Sequence, residues 1–186
     1  MSSPDYSSPE TPYSYQPLHP KPPQIRLLSL APTSGPIHCE ISTFDLASAP
    51  PYKALSYVWG APTPACSIYI NDQPLPVREN LFRFFEAYRD VRKRQPSDRH
   101  LWIDQVCINQ GDVGERSSQV QMMSDIYTRA ESVVVWLGHG DESAYAAAQR
   151  FRDQRDTHAL SVVLNNPYFS RMWIVQEFLL ARRIRI

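Results

Sequence analysis

Apolar and polar positions change rhythm along this chain, and each rhythm predicts an element. Val133 to Leu137 is an unbroken apolar run stopped by Gly138, the pattern of a central strand buried on both faces of a parallel sheet. Upstream, an apolar run from Leu101 meets an acid, Asp104, and then a polar loop, Gln105 to Gln110. Between the two runs, Val120, Met123, Tyr127 and Ala130 recur at steps of three and four, the period of one helix face. Strand, helix and strand in this one stretch form the unit of a parallel sheet with a right-handed crossover. Asp104 then lies at the carboxyl end of its strand, where open α/β sheets place their ligand crevice.

The remaining chain builds outward from that unit. Ile25–Leu30 and Ile37–Phe44 read as a hairpin across the Pro32–Pro36 turn region. Lys53–Val58 is a strand stopped by Gly60 and Pro62. Ser67–Ile70 and Gln73–Val77 form a second hairpin around Asn71-Asp72, and Pro74 and Pro76 confine its second arm to a sheet edge. A helix begins at Asn80, with Leu81, Phe84, Phe85, Tyr88 and Val91 on one face; Arg92, Lys93 and Arg94 complement its C-terminal dipole. Asp112 and Glu115 have the spacing of a capping box. Further helices are expected over Glu142–Gln154, Ala159–Asn165 and Arg171–Ala181, and a strand opens at Ile184–Ile186. The expected fold class is α/β, with a small N-terminal β extension.

Composition changes this picture mainly at the N-terminus. Met1–Pro23 carries seven of the seventeen prolines, with many serines and tyrosines. Such a segment buries too little apolar surface to offset its ordering entropy. Residues 1–24 are therefore expected to be a disordered tail, and 25–186 one folded domain. The balance of 19 basic and 19 acidic residues argues against a broad nucleic-acid surface. No apolar run reaches the roughly 18 residues of a membrane span. Three widely spaced cysteines, Cys39, Cys66 and Cys107, fit a reducing compartment, and the N-terminus lacks the pattern of a signal peptide. The expectation is cytoplasmic, with no membrane and no nucleic-acid partner. The five histidines are scattered and no C-x-x-C or close Cys/His pair argues for zinc, so no metal site and no cofactor are expected.

Glu177 is the most informative acid. On a helix its neighbours at three and four residues are Trp173, Ile174, Leu180 and Ala181, none of them a charge partner. A carboxylate on such a stripe finds a distant partner, lies at a pocket rim, or takes a raised pKa; the structural alternative is an acid at the stripe's edge that reaches water. Asp104 either orients a ligand group or serves its own loop, accepting N–H groups or pairing with Arg116, which shares the inward stripe of the following helix. Trp59 and Tyr57, at a strand end, either stack on a base or pack. Cys107 is either a reactive thiol or a small buried hydrophobe.

Four blocks carry a resemblance. YKALSYVWG, LWIDQVCINQ, ERSSQVQMMSDIYTRAESVVVWLG and YFSRMWIVQEFLLA follow, in order, the blocks of the fungal HET (heterokaryon incompatibility) domain, and cover Tyr52 to Ala181. The resemblance implies an intracellular fungal protein of non-self recognition, in which activation of the domain leads to cell death, with self-association and protein partners. A weaker likeness to TIR domains lies in ESVVVWLG followed by Trp173-Ile174-Val175-Gln176-Glu177, a W-x-x-x-E helix start. It implies a flavodoxin-like parallel sheet and cleavage of NAD as substrate, with Glu177 as the catalytic residue and Asp104, Trp59 and Trp173 lining the substrate site. Arg116 and Tyr57 take structural roles. HET proteins normally continue beyond the last block, so this chain is expected to be truncated at its C-terminus. The rival expectation is a non-catalytic scaffold that self-associates and signals, or an inactive fragment.

Overall fold

The computed structural model describes residues 11–63, 65–94, 100–138, 142–170, 177 and 180–185. Among these, eight strands form one mixed sheet. In chain order they are β1 (Gln24–Leu30), β2 (His38–Asp45), β3 (Lys53–Tyr57), β4 (Ala65–Ile70), β5 (Gln73–Arg78), β6 (Leu101–Trp102), β7 (Ser132–Trp136) and β8 (Ile184–Arg185). Across the sheet the order is β5-β4-β2-β1-β6-β3-β7-β8. The half containing β6, β3, β7 and β8 is parallel throughout. Among the described residues the strands are accompanied by α1 (Glu79–Arg94), α2 (Asp104–Cys107), α3 (Val113–Gln121), α4 (Met123–Arg129), α5 (Glu142–Gln154) and α6 (Thr157–Leu164).

Both expected hairpins form. β1 and β2 are antiparallel from Gln24↔Asp45 to Leu30↔Cys39. β4 and β5 meet at Asn71 and Asp72, whose φ values of 49° and 65° are the left-handed pair that a two-residue hairpin turn demands. The β extension is no appendage, however. β1 pairs with β6 through Leu28↔Leu101, so the N-terminal strands continue the parallel half as one sheet.

The strand buried on both faces is β3, all five of whose residues are buried. β7 lies one place further out: Val133 and Val135 face the core, while Val134 and Trp136 are only partly covered. The predicted face of α1 is inside at Leu81, Phe84, Phe85 and Tyr88, but Val91 is exposed. The crossover helix is broken at Met122, which ends α3 and begins α4. The break shifts the phase of the apolar stripe. Met123, Tyr127 and Ala130 stay inside, Val120 turns out, and Gln119 takes the buried place, its amide donating to the Gln24 carbonyl at 2.9 Å. Tyr127 donates its hydroxyl proton to the Leu55 carbonyl at 3.0 Å, and Tyr52 to that of Ile126 at 2.6 Å. These bonds tie α4 to β3.

The expectation of disorder through residue 24 is corrected over residues 11–24, while residues 1–10 lie outside the described residues. The Tyr13 N–H donates to the Pro74 carbonyl at 3.0 Å on edge strand β5, and the Tyr15 hydroxyl to the Val106 carbonyl at 2.9 Å. The anchor is Arg26, 1% exposed. Its guanidinium makes a two-pronged contact with the Glu115 carboxylate at 2.6 and 2.9 Å, and donates to the carbonyls of Cys107 (2.9 Å) and Gln16 (2.6 Å). It also lies over the Tyr15 ring, 4.9 Å from its centre. A buried cation is tolerated only when paired and hydrogen-bonded, and the N-terminal segment supplies part of that shell. Average composition could not register so local a demand. The capping box is half realised: Asp112 accepts from the Glu115 N–H at 3.0 Å, but the Glu115 carboxylate turns to the Asn109 N–H at 2.7 Å and to Arg26.

Candidate functional site

β3, β6 and β7 run parallel, so their carboxyl ends emerge on one rim of the sheet, and β3 is flanked there by two strands that follow it in the chain. Strand order therefore reverses beside β3, the place where open α/β sheets form ligand crevices. Two clusters of side chains are built from this strand and its exit.

The first lies on β3 itself. Ser56 is fully buried, and its hydroxyl donates to the Glu177 carboxylate. The Tyr168 hydroxyl pairs with the Ser56 oxygen at 2.5 Å. Since Ser56 has one proton, committed to Glu177, the phenol is the donor to Ser56. Tyr168 is placed by the short 3-10 turn Pro167–Ser170. Its N–H donates to the Asn166 side-chain oxygen at 2.9 Å, and the Asn166 amide donates to the Leu137 carbonyl just beyond β7 at 3.2 Å. The result is a relay, Tyr168 to Ser56 to Glu177, closed over a carboxylate that is 1% exposed.

The second cluster stands at the exit of β3. Trp59 donates its indole N–H to the Asp104 carboxylate at 2.8 Å, and Asp104, the first residue of α2, also accepts from the Gln105 N–H at 2.7 Å. The Arg78 guanidinium lies over the Trp59 ring, 4.9 Å from its centre, and donates to the Gly60 carbonyl at 2.5 Å. Asn80 bridges the two loops: its amide donates to the Val58 carbonyl at 2.5 Å, and its oxygen accepts from the Trp136 indole at 3.0 Å. Gly60 turns here with φ of 76°, and a Cβ on it would meet the Asn80 Cβ at 3.5 Å. Left-handed backbone at that place calls for glycine.

The structure thus brings Asp104 and Trp59 into contact and gives Glu177 a distant set of partners. Trp173 lies outside the described residues. Tyr57 is buried and packs in the core. Arg116 does not meet the Asp104 carboxylate. It is exposed, because α3 carries it away from the core, and it donates to the Gln110 carbonyl at 3.2 Å. Its support of the loop therefore runs through the backbone, and Gln110 in turn donates to the Asp104 carbonyl at 2.8 Å. Nothing in the sequence marks Tyr168 or Arg78 for the site, and Asn80 is marked only as the start of a helix. Ser56 alone gave a signal, as a hydroxyl inside a strand otherwise suited to burial.

Cys107 is buried, with its sulfur accepting from the Ile103 N–H at 3.3 Å. Burial pushes its thiol up to about 12, so it behaves as a small core residue. Among the described residues no group of three or more His, Cys, Asp or Glu side chains is arranged to hold a metal, and no helix is long and apolar enough to cross a membrane. A cleft of about 500 Å³ separates residues 17–23 from α3 and is lined by Leu18, His19, Asp112, Glu115 and Met122 among others. It includes no member of either cluster.

Comparison with known proteins bears on residues 52–177, which match the family described as heterokaryon incompatibility protein (HET). A relative, heterokaryon incompatibility protein 6, OR allele, of Neurospora crassa, is 41% identical over a stretch covering 61% of this chain and 18% of that protein. The chain therefore spans less than a fifth of the length of that relative. No solved structure matches.

Proposed function

From a chain that belongs to the heterokaryon incompatibility family, we propose a role in fungal non-self recognition, exercised by cleaving the nicotinamide–ribose bond of NAD in the cytoplasm and leading to cell death. One observation carries the chemical part. Glu177 is a buried carboxylate held by a hydroxyl relay against the central parallel strand. Loss of nicotinamide develops positive charge on the ribose, and a fixed carboxylate in a water-poor setting stabilises that charge better than water does. The fold supports the reading. In their own chain order the parallel strands β3, β6, β7 and β8 lie as 2-1-3-4, the opening of the flavodoxin-like arrangement that the TIR likeness implies.

The burial of Glu177 adds a condition. A carboxylate 1% exposed cannot touch a ribose until its cover moves. The conformation described is then the resting one, with Tyr168 and Ser56 holding the acid until assembly or a partner opens the site. The same burial favours a second reading, in which the domain is a non-catalytic, self-associating scaffold and the relay is core structure.

Nicotinamide release from NAD by the chain, held as an oligomer through a fused assembly tag, decides between them. Glu177→Gln keeps shape and removes charge, and should abolish release with little change in melting temperature. No release by the assembled wild type gives the scaffold the case. Release undiminished in Glu177→Gln keeps the chemistry and removes Glu177 from it.

A further inference from the structure

We propose that Arg78, laid over Trp59 at the exit of β3, is the anion-binding residue of the crevice and takes the diphosphate of a nucleotide. The inference rests on the NAD reading for the identity of that nucleotide, though not for the anion site itself.

The geometry is that of a mounted guanidinium. Its Cζ lies over the indole, 4.9 Å from the ring centre, and one nitrogen is fixed by the Gly60 carbonyl at 2.5 Å. The indole cannot swing away, because its N–H is held by Asp104 at 2.8 Å. The Arg78 backbone is held too, its N–H donating to the Gln105 side chain at 3.3 Å. Arg78 is only half-buried. Among the described residues no carboxylate forms an ion pair with it, and the adjacent Glu79 is engaged with Arg83 at 3.4 Å. Four of its five N–H groups are therefore left to a ligand.

An arginine stacked on an aromatic face presents its donors as a planar fork, matched to a phosphate or carboxylate that accepts two of them at once. Holding the fork in advance removes part of the ordering cost of binding. The position favours a phosphate ester over a free carboxylate. The Arg78–Trp59 pair stands at the carboxyl-end rim of β3, where open α/β sheets bind their ligands, and Trp59 offers an aromatic surface beside it. Asp104 is on this account a positioning residue, acting on the ligand through Trp59.

Titration with ADP and with adenosine, followed by tryptophan fluorescence and calorimetry, tests the assignment. Wild type should bind ADP, and Arg78→Gln should weaken that binding at least tenfold while leaving adenosine unchanged. Arg78→Lys, which restores the charge without the fork, should recover only part of the loss. No binding of ADP to wild type, or equal binding to wild type and Arg78→Gln at equal melting temperature, overturns the proposal. Nicotinamide release separates it from the reading it rests on. ADP binding that depends on Arg78 in a protein unable to cleave NAD leaves the anion site standing and removes the NAD chemistry. Cleavage with an unchanged KM in Arg78→Gln does the reverse.

Discussion

A single residue, Arg26, shows how much of this molecule hangs on local chemistry. Its charge is buried and shared between the Glu115 carboxylate and two carbonyls. Removing one member of such a pair leaves the other charge without compensation, at a cost of about 3–5 kcal/mol. Arg26→Ala should therefore lower stability by that amount in urea unfolding. Replacing both members, as in Arg26→Met with Glu115→Gln, should cost less than the two single changes added together, by about 0.5–3 kcal/mol. Strict additivity would mean that the contact carries no energy of its own. Glu177 illustrates what sequence can and cannot convey at this scale. Helix spacing marked it as an acid with no nearby charge, and it is buried. Its partners Ser56 and Tyr168 come from remote parts of the chain, and no local spacing brings them together.

At the level of elements, strands and helices with strong periodicity were legible: both hairpins, α1, α5 and β7 fall where the hydrophobic pattern puts them. Two kinds of feature were not. The break at Met122 follows no glycine or proline, so the apolar period runs straight through it and puts Val120 on the inward face. Average composition is blind to residues 11–23, where Tyr13 and Tyr15 are anchored individually. The side-chain cluster at the rim was legible only in Asp104 and Trp59, since Arg78 and Asn80 reach it through a hairpin and a helix that sequence alone does not orient. β7 gives a direct test of the sheet. Val135 is 3% exposed and pairs with Ser56 of β3. Val135→Asp would bury an unpaired charge, costing several kcal/mol, on the order of the stability of a whole domain. The variant should appear in the insoluble fraction or unfold without a cooperative transition; a soluble protein with an unchanged melting temperature would count against this placement of the strand.

On the scale of the whole molecule, buried thiols and phenols set the response to alkali. Burial raises Cys39, Cys107, Tyr13, Tyr15 and Tyr52 above their ordinary values, with Cys107 moved from near 9 to about 12. The protonated form is the one the fold favours. As pH climbs, the unfolded chain therefore loses these protons first, and stability falls. Their contribution is complete below about pH 9 and declines from there through about 12. Urea midpoints measured from pH 8 to 11 should fall steadily, and less steeply in Cys107→Ala; a flat profile would contradict the burial of these groups. The order of the strands has a consequence for the birth of the protein. β3 is the most enclosed strand, yet Lys53 must wait for Leu101 on one side and Ser132 on the other. On the ribosome, a chain that has emerged only as far as α1 carries an apolar strand with both edges bare, the kind of template on which nascent chains aggregate. Until β7 is made, the centre of this sheet has no partner of its own on that side and stays open to pairing with a stranger.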